Sequence, residues 1–113
     1  MKKYRVLTLD RLKPECVEEY LRLHKEIWPG IEDLGLRSGI TQISCFLNDL
    51  TLIVFIEYDA ELYAQQREYF ENNSLQIRWL ALMKSLCEEN FEKLTFDEVY
   101  RLSAPAQKLR GMV

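Results

Sequence analysis

The chain has 113 residues, enough for one domain with a single hydrophobic core and too few for two. Hydrophobic residues make up 48% of it and charged residues 29%, which is the composition of an ordinary globular protein. The net charge of −3 excludes the basic surface that nucleic acid requires and gives no attraction to anionic lipid. We therefore expect neither nucleic acid nor a membrane as a partner.

The first third of the chain predicts one strand followed by two helices. Residues 4–10 are rich in β-forming residues. Pro14 suits the first turn of a helix, and we expect that helix to continue to about Trp28, where Pro29-Gly30 ends it. A shorter helix is expected over residues 31–36.

Two β-patterned segments follow and predict a hairpin. Residues 40–47 alternate in polarity, and residues 50–58 are the most strongly β-forming stretch of the chain. Asn48-Asp49 between them is a turn signal, so the two strands are antiparallel neighbours. We place this hairpin at the centre of the sheet.

The last part of the chain predicts two helices, a strand and a tail. Residues 60–89 have helical patterning with a break at 72–74, where Ser74 is a candidate cap of the second helix. Residues 93–102 alternate in polarity and predict a fourth strand. Residues 103–113 show no periodicity and are expected to form a C-terminal tail.

The order β-α-β-β-α-β is that of the ferredoxin-like α+β fold, with a four-stranded antiparallel sheet and helices on one face. We expect residues 1–102 to form this single domain. The strands carry apolar residues on both faces, as at Ile53 and Val54. Because the helices cover only one face, a second subunit is needed for the other, and we predict a homodimer.

The cysteines predict a reducing environment. Cys16, Cys45 and Cys87 are odd in number, far apart, and accompanied by only one histidine, so they form neither a disulfide framework nor a zinc site. We interpret all three as reduced and mostly buried small apolar residues. The N-terminal residues lead directly into strand patterning without a hydrophobic signal segment, so we expect a cytoplasmic protein.

His24, the only histidine, occupies an apolar position of the first helix. At helical spacing it shares one face with Tyr20 and Trp28, while charged residues occupy the other face. The side chain that exchanges protons near neutral pH therefore points inward. It is either a buried structural histidine or the working group of a small enclosed site.

The residues available exclude several chemistries. The sequence has no glycine-rich phosphate loop, no carboxylate cluster at metal-ligand spacing and no local signature of a nucleophile beside His24. Proton transfer remains, with Glu57 and Glu98 as possible helpers of the histidine. Trp28 and Trp79 suit the C–H face of a sugar, although a helix-borne tryptophan is more often a core residue.

Three motifs resemble the L-rhamnose mutarotase family. Residues 18–29 resemble its first-helix signature E-E-Y-x-x-x-H-x-x-I-W-P, which is the most specific of the three. Arg78-Trp79 is similar to the family's R-W in the second helix, and Glu98-Val99 is similar to its last-strand E-V. The resemblance covers about residues 4–102.

The resemblance implies a dimeric α/β barrel of ferredoxin-like protomers that needs no metal or organic cofactor. It implies interconversion of the α and β anomers of a 6-deoxy sugar such as L-rhamnose. His24 then matches the family's proton donor, Tyr20 would orient the sugar or the imidazole, and Trp79 would stack on the sugar. Ile43 and Leu80 stand where the family has a substrate-binding tyrosine and a second tryptophan, which predicts a more apolar pocket.

Two other functions remain open. Ferredoxin-like dimers include haem-degrading and cofactor-free monooxygenases, in which His24 would be a haem ligand or a base; this link is analogy of fold only. A non-catalytic sugar-binding or interaction module is the third hypothesis, because Ile43 and Leu80 depart from the family pattern.

Overall fold

The computed structural model describes residues 3–104, and their elements alternate as the sequence predicts. In chain order these are β1 (Lys3–Arg11), a 3₁₀ turn (Pro14–Cys16), α1 (Val17–Lys25), α2 (Ile31–Arg37), β2 (Ile40–Asn48), β3 (Thr51–Asp59), α3 (Ala60–Asn72), α4 (Ser74–Ser85) and β4 (Leu94–Asp97). The ferredoxin-like α+β fold is thereby confirmed. Residues 105–113, which hold most of the predicted tail, lie outside the described residues, and the domain boundary at residue 102 stays a prediction.

The four strands form one antiparallel sheet in the order β2-β3-β1-β4. The hairpin of β2 and β3 is confirmed, but its predicted central position is wrong for β2, which is an edge strand. A tight turn fixes which strand lies beside β3 on one side only. On the other side β3 pairs along its full length with β1, from Lys3 opposite Asp59 to Arg11 opposite Thr51.

One face of the sheet supports the helices. Leu52 is buried, and Val54, two residues along the same strand, packs against the same hydrophobic cluster. The helices supply Tyr20, Leu23 and Trp79 to that cluster. Because side chains alternate along a strand, Ile53 and Phe55 point to the opposite face, which carries no helix.

Helix ends differ from the predictions at two places. Helix α1 stops at Lys25, before the predicted end at Trp28: Glu26 is no longer helical (φ −127°, ψ 67°), and its N–H bonds the Arg22 carbonyl. Helix α4 is capped by Asn73 rather than Ser74. The Asn73 side chain accepts hydrogen bonds from the backbone N–H groups of Leu75 and Gln76, at 2.9 and 3.4 Å.

Strand β4 covers four residues, whereas the alternating pattern predicted ten. Its pairing with β1 ends at Asp97 opposite Val6. Beyond that point the alternation continues without a neighbouring strand, and Val99 and Tyr100 are 96% and 77% exposed. Alternation reports which side chains share a face, but it does not show how far the partner strand extends. Among residues 3–104, no helix is long and apolar enough to cross a membrane.

We predict that Gly39→Ala destabilises the fold and that Gly35→Ala, its matched control, does not. Gly39 has φ +108°, and a Cβ there would lie 2.8 Å from the backbone nitrogen of Tyr63. This should lower the free energy of unfolding by about 1–3 kcal/mol. A Cβ on Gly35 would meet Ile40 at an ordinary 3.7 Å, and Ala in a helix should add about 0.5–1 kcal/mol. Urea unfolding measures both; equal midpoints for the two variants would contradict the assignment.

Candidate functional site

His24 lies in the last turn of α1 and is half-buried. Its Nδ1 is 2.8 Å from the backbone carbonyl oxygen of Tyr20, one turn earlier. A carbonyl oxygen only accepts hydrogen bonds, so Nδ1 must carry the proton and donate it. In the neutral imidazole this leaves the lone pair on Nε2. The structure therefore fixes which nitrogen of His24 accepts a proton.

The Tyr20 ring packs against one face of the His24 imidazole. The two rings stack with centroids 4.1 Å apart and an angle of 29° between their planes. Tyr20 itself is only 5% exposed and belongs to the hydrophobic core. Helical geometry brings residues four apart together on one face, which explains this contact. A side chain anchored in the core thus restricts the rotation of the histidine.

Trp79 of α4 lies on another side of His24, with ring centroids 5.8 Å apart. Trp28 meets it edge-on at 5.2 Å. Trp79 is 8% exposed and is part of the core cluster, so most of its indole is already in contact with protein. The structure brings Tyr20, His24 and Trp79 together as the sequence predicts. Whether Trp79 stacks on a sugar stays a prediction.

Cys45 of β2 is a fourth residue near Tyr20 and His24. It lies directly opposite Val54, so both side chains point to the helix-bearing face of the sheet. The Cys45 thiol lies close enough to His24 and Tyr20 to affect their pKa values. The interpretation of all three cysteines as mostly buried is wrong for Cys45, which is exposed. It sits on an edge strand, and that position leaves it open to solvent.

The pKa values of these side chains are shifted by their contacts. Hydrogen bonding to Cys45 raises the pKa of His24, and the Tyr20 carbonyl acts in the same direction, against the effect of burial. Burial would raise the pKa of Cys45, but hydrogen bonds from His24 and Tyr20 lower it below its usual range. The pKa of Tyr20 is raised, first by burial and then by its interaction with Cys45. The protonation state of each of these three side chains therefore affects the pKa values of the others.

The two predicted sugar-contact positions that depart from the family are half-exposed. Ile43 lies two residues before Cys45 on β2, so it points to the same face, and it is 50% exposed. Leu80 follows Trp79 on α4 and is 55% exposed. Neighbouring helical residues are about 100° apart around the axis, so Leu80 points away from the direction of Trp79. Ile43 therefore fits the His24 site better than Leu80 does.

The two glutamates considered as helpers of His24 have other partners. Glu57 pairs across the sheet with Arg5, on the face opposite the helices, and binds Lys3 and Arg5 at 3.4 and 3.6 Å. A hydrogen bond from Thr41 and the charge of Lys3 lower the pKa of Glu57. Glu98 binds Arg5 at 3.1 Å. Within the described chain these carboxylates belong to the opposite side of the sheet from His24.

Cys45 is the site residue that sequence reasoning missed. The alternation of residues 40–47 predicts a strand with two different faces, but the sequence does not reveal which helix crosses the face that carries Cys45. The described residues contain no group of three or more histidine, cysteine or acidic side chains able to hold a metal ion. What the arrangement offers is an oriented imidazole beside a thiol and a phenol, which suits proton transfer.

Comparison with known proteins assigns the family. The L-rhamnose mutarotase family model matches residues 5–102. An L-rhamnose mutarotase of Tolumonas auensis is 31% identical over 84 residues, which is 73% of this chain and 78% of that protein. The crystal structure of the L-rhamnose mutarotase of Formosa agariphila superposes with a TM-score of 0.68 at 20% identity, covering 88% of this chain and 98% of that one.

A solved antibiotic biosynthesis monooxygenase superposes with a TM-score of 0.58 at 16% identity, covering 88% of this chain and all of that one. At this identity the likeness shows the fold alone. The family model, in contrast, spans nearly all of the described residues and includes Tyr20, His24 and Trp79. The chain belongs to the L-rhamnose mutarotase family, a family of isomerases.

Proposed function

We propose that this protein is an aldose mutarotase that interconverts the α and β anomers of L-rhamnose or a related 6-deoxy sugar, with His24 as its acid–base group. The observation that carries the proposal is the hydrogen bond from Nδ1 to the Tyr20 carbonyl, which leaves Nε2 to exchange a proton, in a chain of this family. The Tyr20 stack keeps that nitrogen in one orientation.

The reaction is a ring opening followed by a ring closure. A base removes the proton of the anomeric hydroxyl while an acid protonates the ring oxygen, and the bond between the anomeric carbon and the ring oxygen breaks. Rotation of the resulting aldehyde and reclosure give the other anomer. An imidazole that titrates near neutral pH serves in both directions. One positioned proton-transfer group accelerates a reaction by about 10²–10⁴-fold. That acceleration suits anomer exchange, which already proceeds slowly in water.

The choice of sugar follows from the aliphatic side chains at the two positions where the chain departs from the resembled family. Ile43 and Leu80 are aliphatic and half-exposed, where the resembled family has aromatic residues with polar groups. An aliphatic wall leaves a sugar hydroxyl unpaired but accepts a methyl group, which favours a 6-deoxy sugar. Tyr20 orients the imidazole, and the exposed part of Trp79 would contact the sugar.

We also propose a homodimer, formed through the sheet face that carries no helix. That face is lined by seven large apolar side chains, which belong to all four strands: Leu7, Leu9, Phe46, Ile53, Phe55, Leu94 and Phe96. Phe46 is 57% exposed and Leu94 46%. An apolar sheet face of this extent requires a cover. A second copy of this chain supplies the same apolar surface, and pairing of the two sheets buries both.

Free thiols support the proposal that the protein works in the cytoplasm. Cys16, Cys45 and Cys87 are all unpaired, and a reducing compartment keeps such thiols in this form.

The first test measures anomer exchange on L-rhamnose and L-fucose by saturation-transfer NMR of the anomeric protons. Wild-type protein should accelerate exchange on at least one of the two, and His24→Ala should reduce that acceleration by about 10²–10⁴-fold. Lys25→Ala, an exposed change on the neighbouring residue, is the matched control and should behave as wild type. Because deprotonated Nε2 is the base, and contacts raise the pKa of His24, exchange should rise with pH through a midpoint above that of free histidine.

A His24→Ala protein as fast as wild type would remove the histidine from the mechanism. Saturable sugar binding with no acceleration of exchange would instead identify a sugar-binding module. A Soret band that forms on addition of haem and is lost in His24→Ala would identify a haem protein.

The dimer is tested by sedimentation equilibrium. Wild-type protein should have twice the 13.5 kDa mass of the chain. Phe46→Glu should shift it towards the monomer, because a charge buried in an apolar interface is unpaired. Leu36→Glu is the matched control: Leu36 is 63% exposed on α2, away from the sheet face, and its change should leave the mass unaltered. Dissociation by both variants, or by neither, would contradict the proposed interface.

A further inference from the structure

We propose that Gln76 of α4 is a sugar-binding residue of the His24 site and that its side-chain amide bonds hydroxyl groups of the sugar ring. The inference rests on the proposed mutarotase function and deepens it. Gln76 lies outside the three motifs that resemble the family, which occupy residues 18–29, 78–79 and 98–99. Its role therefore comes from the structure.

Gln76 is a buried polar residue whose side chain lacks a hydrogen bond. It is 8% exposed, and Ser38 is the other buried polar residue of the described chain. The Ser38 hydroxyl donates to the Gly35 carbonyl oxygen at 2.7 Å. Asn73 caps the backbone N–H of Gln76, but the Gln76 side-chain amide bonds no group among residues 3–104. An amide buried in this way lowers stability, so the needs of folding do not account for it.

The amide atoms of Gln76 are unbonded but not sealed from solvent. In the described part of the chain, Arg5 Nε is the one side-chain nitrogen or oxygen that is both inaccessible and without a hydrogen bond, and it meets Glu98 only as an ion pair. The Gln76 amide is not in that class although it has no partner, so its atoms are in contact with accessible space. Because the residue as a whole is buried, this opening is small, and the donors and the acceptor of the amide are free for a ligand there.

Helical spacing places Gln76 beside Trp79. Residues three apart on a helix differ by about 60° around the axis and about 4.5 Å along it. Gln76 and Trp79 are the two buried residues of α4, so they mark the side of the helix that packs on the protein. The centroid of the Trp79 ring lies 5.8 Å from that of the His24 imidazole. A sugar that contacts both His24 and Trp79 therefore lies about one helical turn from Gln76.

An amide matches the hydroxyl groups of a sugar. The NH₂ group of Gln76 donates to one hydroxyl oxygen while Oε1 accepts from a neighbouring hydroxyl, since each sugar hydroxyl can do either. Ile43 and Leu80 offer no such bonds, because both are aliphatic. The amide stays neutral, so Gln76 binds the sugar and leaves the proton transfer to His24.

Replacement of Gln76 by leucine tests this role through the kinetics of anomer exchange. Gln76→Leu keeps a side chain of similar size and removes the amide. The KM should rise about 10-fold with kcat nearly unchanged, and the pH midpoint of exchange should stay that of wild type, because Gln76 does not ionise. Gln65→Leu, the same change at an exposed position of α3, is the matched control and should behave as wild type.

Urea unfolding provides a readout that does not depend on turnover. Without sugar, Gln76→Leu should be at least as stable as wild type, because the change removes an unbonded buried amide. L-rhamnose or L-fucose at one fixed concentration should raise the urea midpoint of wild type more than that of Gln76→Leu, because the variant binds the sugar less tightly.

Sugar analogues that each lack one ring hydroxyl identify the groups that Gln76 bonds. Wild type should have a kcat/KM about 10-fold lower for at least one analogue than for the parent sugar, because the amide is then left without its partner. Gln76→Leu should treat that analogue and the parent sugar alike.

The outcomes separate the two proposals. Wild-type exchange that Gln76→Leu leaves at the wild-type KM overturns the role of Gln76 alone. A Gln76→Leu protein that is less stable than wild type without sugar also overturns it, because the amide is then structural. Absence of wild-type exchange on every sugar overturns the proposed function. Stabilisation by sugar that is weaker in Gln76→Leu than in wild type then still upholds Gln76 as a binding residue, whereas equal or absent stabilisation overturns it.

Discussion

The hydrogen bond between Nδ1 of His24 and the Tyr20 carbonyl is the interaction on which the rest of the site depends. This bond need not replace a backbone hydrogen bond of the helix, because a carbonyl oxygen can accept from two donors. The two residues can meet because residues four apart lie on one face of a helix. The bond fixes the tautomer of the neutral imidazole, and Nε2 is left as the nitrogen that can accept a proton. Tyr20 adds its ring as a support, and since Tyr20 is buried among core side chains, the position of the imidazole is set by the packing of the fold.

The edge position of β2 explains why this site is open. The helices cover the central strands, where Leu52 is only 6% exposed. Ile43 and Cys45 point to the same side of the sheet from its edge and remain exposed. The histidine is half-buried against the core, where it contacts Tyr20 and Trp79.

The two faces of the sheet carry different groups of side chains. One face holds the core and the His24 site. The other combines an apolar surface with Arg5, whose guanidinium lies 4.8 Å from the centre of the Phe55 ring and binds Glu57 and Glu98. In the proposed dimer the second face is buried and the site stays on the outer, helix-bearing side. This arrangement separates assembly from proton transfer.

Much of this could be predicted from periodicity. The element order and the inward direction of His24 follow from spacing alone, and the E-E-Y-x-x-x-H-x-x-I-W-P motif identified the family. The edge position of β2, the length of β4 and the exposure of Cys45 could not be predicted, because each depends on which segment lies beside another in space. Asn73 as the cap of α4 was missed since Ser74 is an equally good capping residue by type.

Nitrogen NMR of the single histidine shows which ring nitrogen carries the proton. With one imidazole in 113 residues, its two ring nitrogens can be observed without assignment of any other histidine. We predict that neutral His24 is the Nδ1–H tautomer, the minor form of free histidine, and that addition of an accepted sugar changes the chemical shift of Nε2 more than that of Nδ1. An Nε2–H tautomer, or ring nitrogens that do not respond to the sugar, would contradict the proposed role of His24.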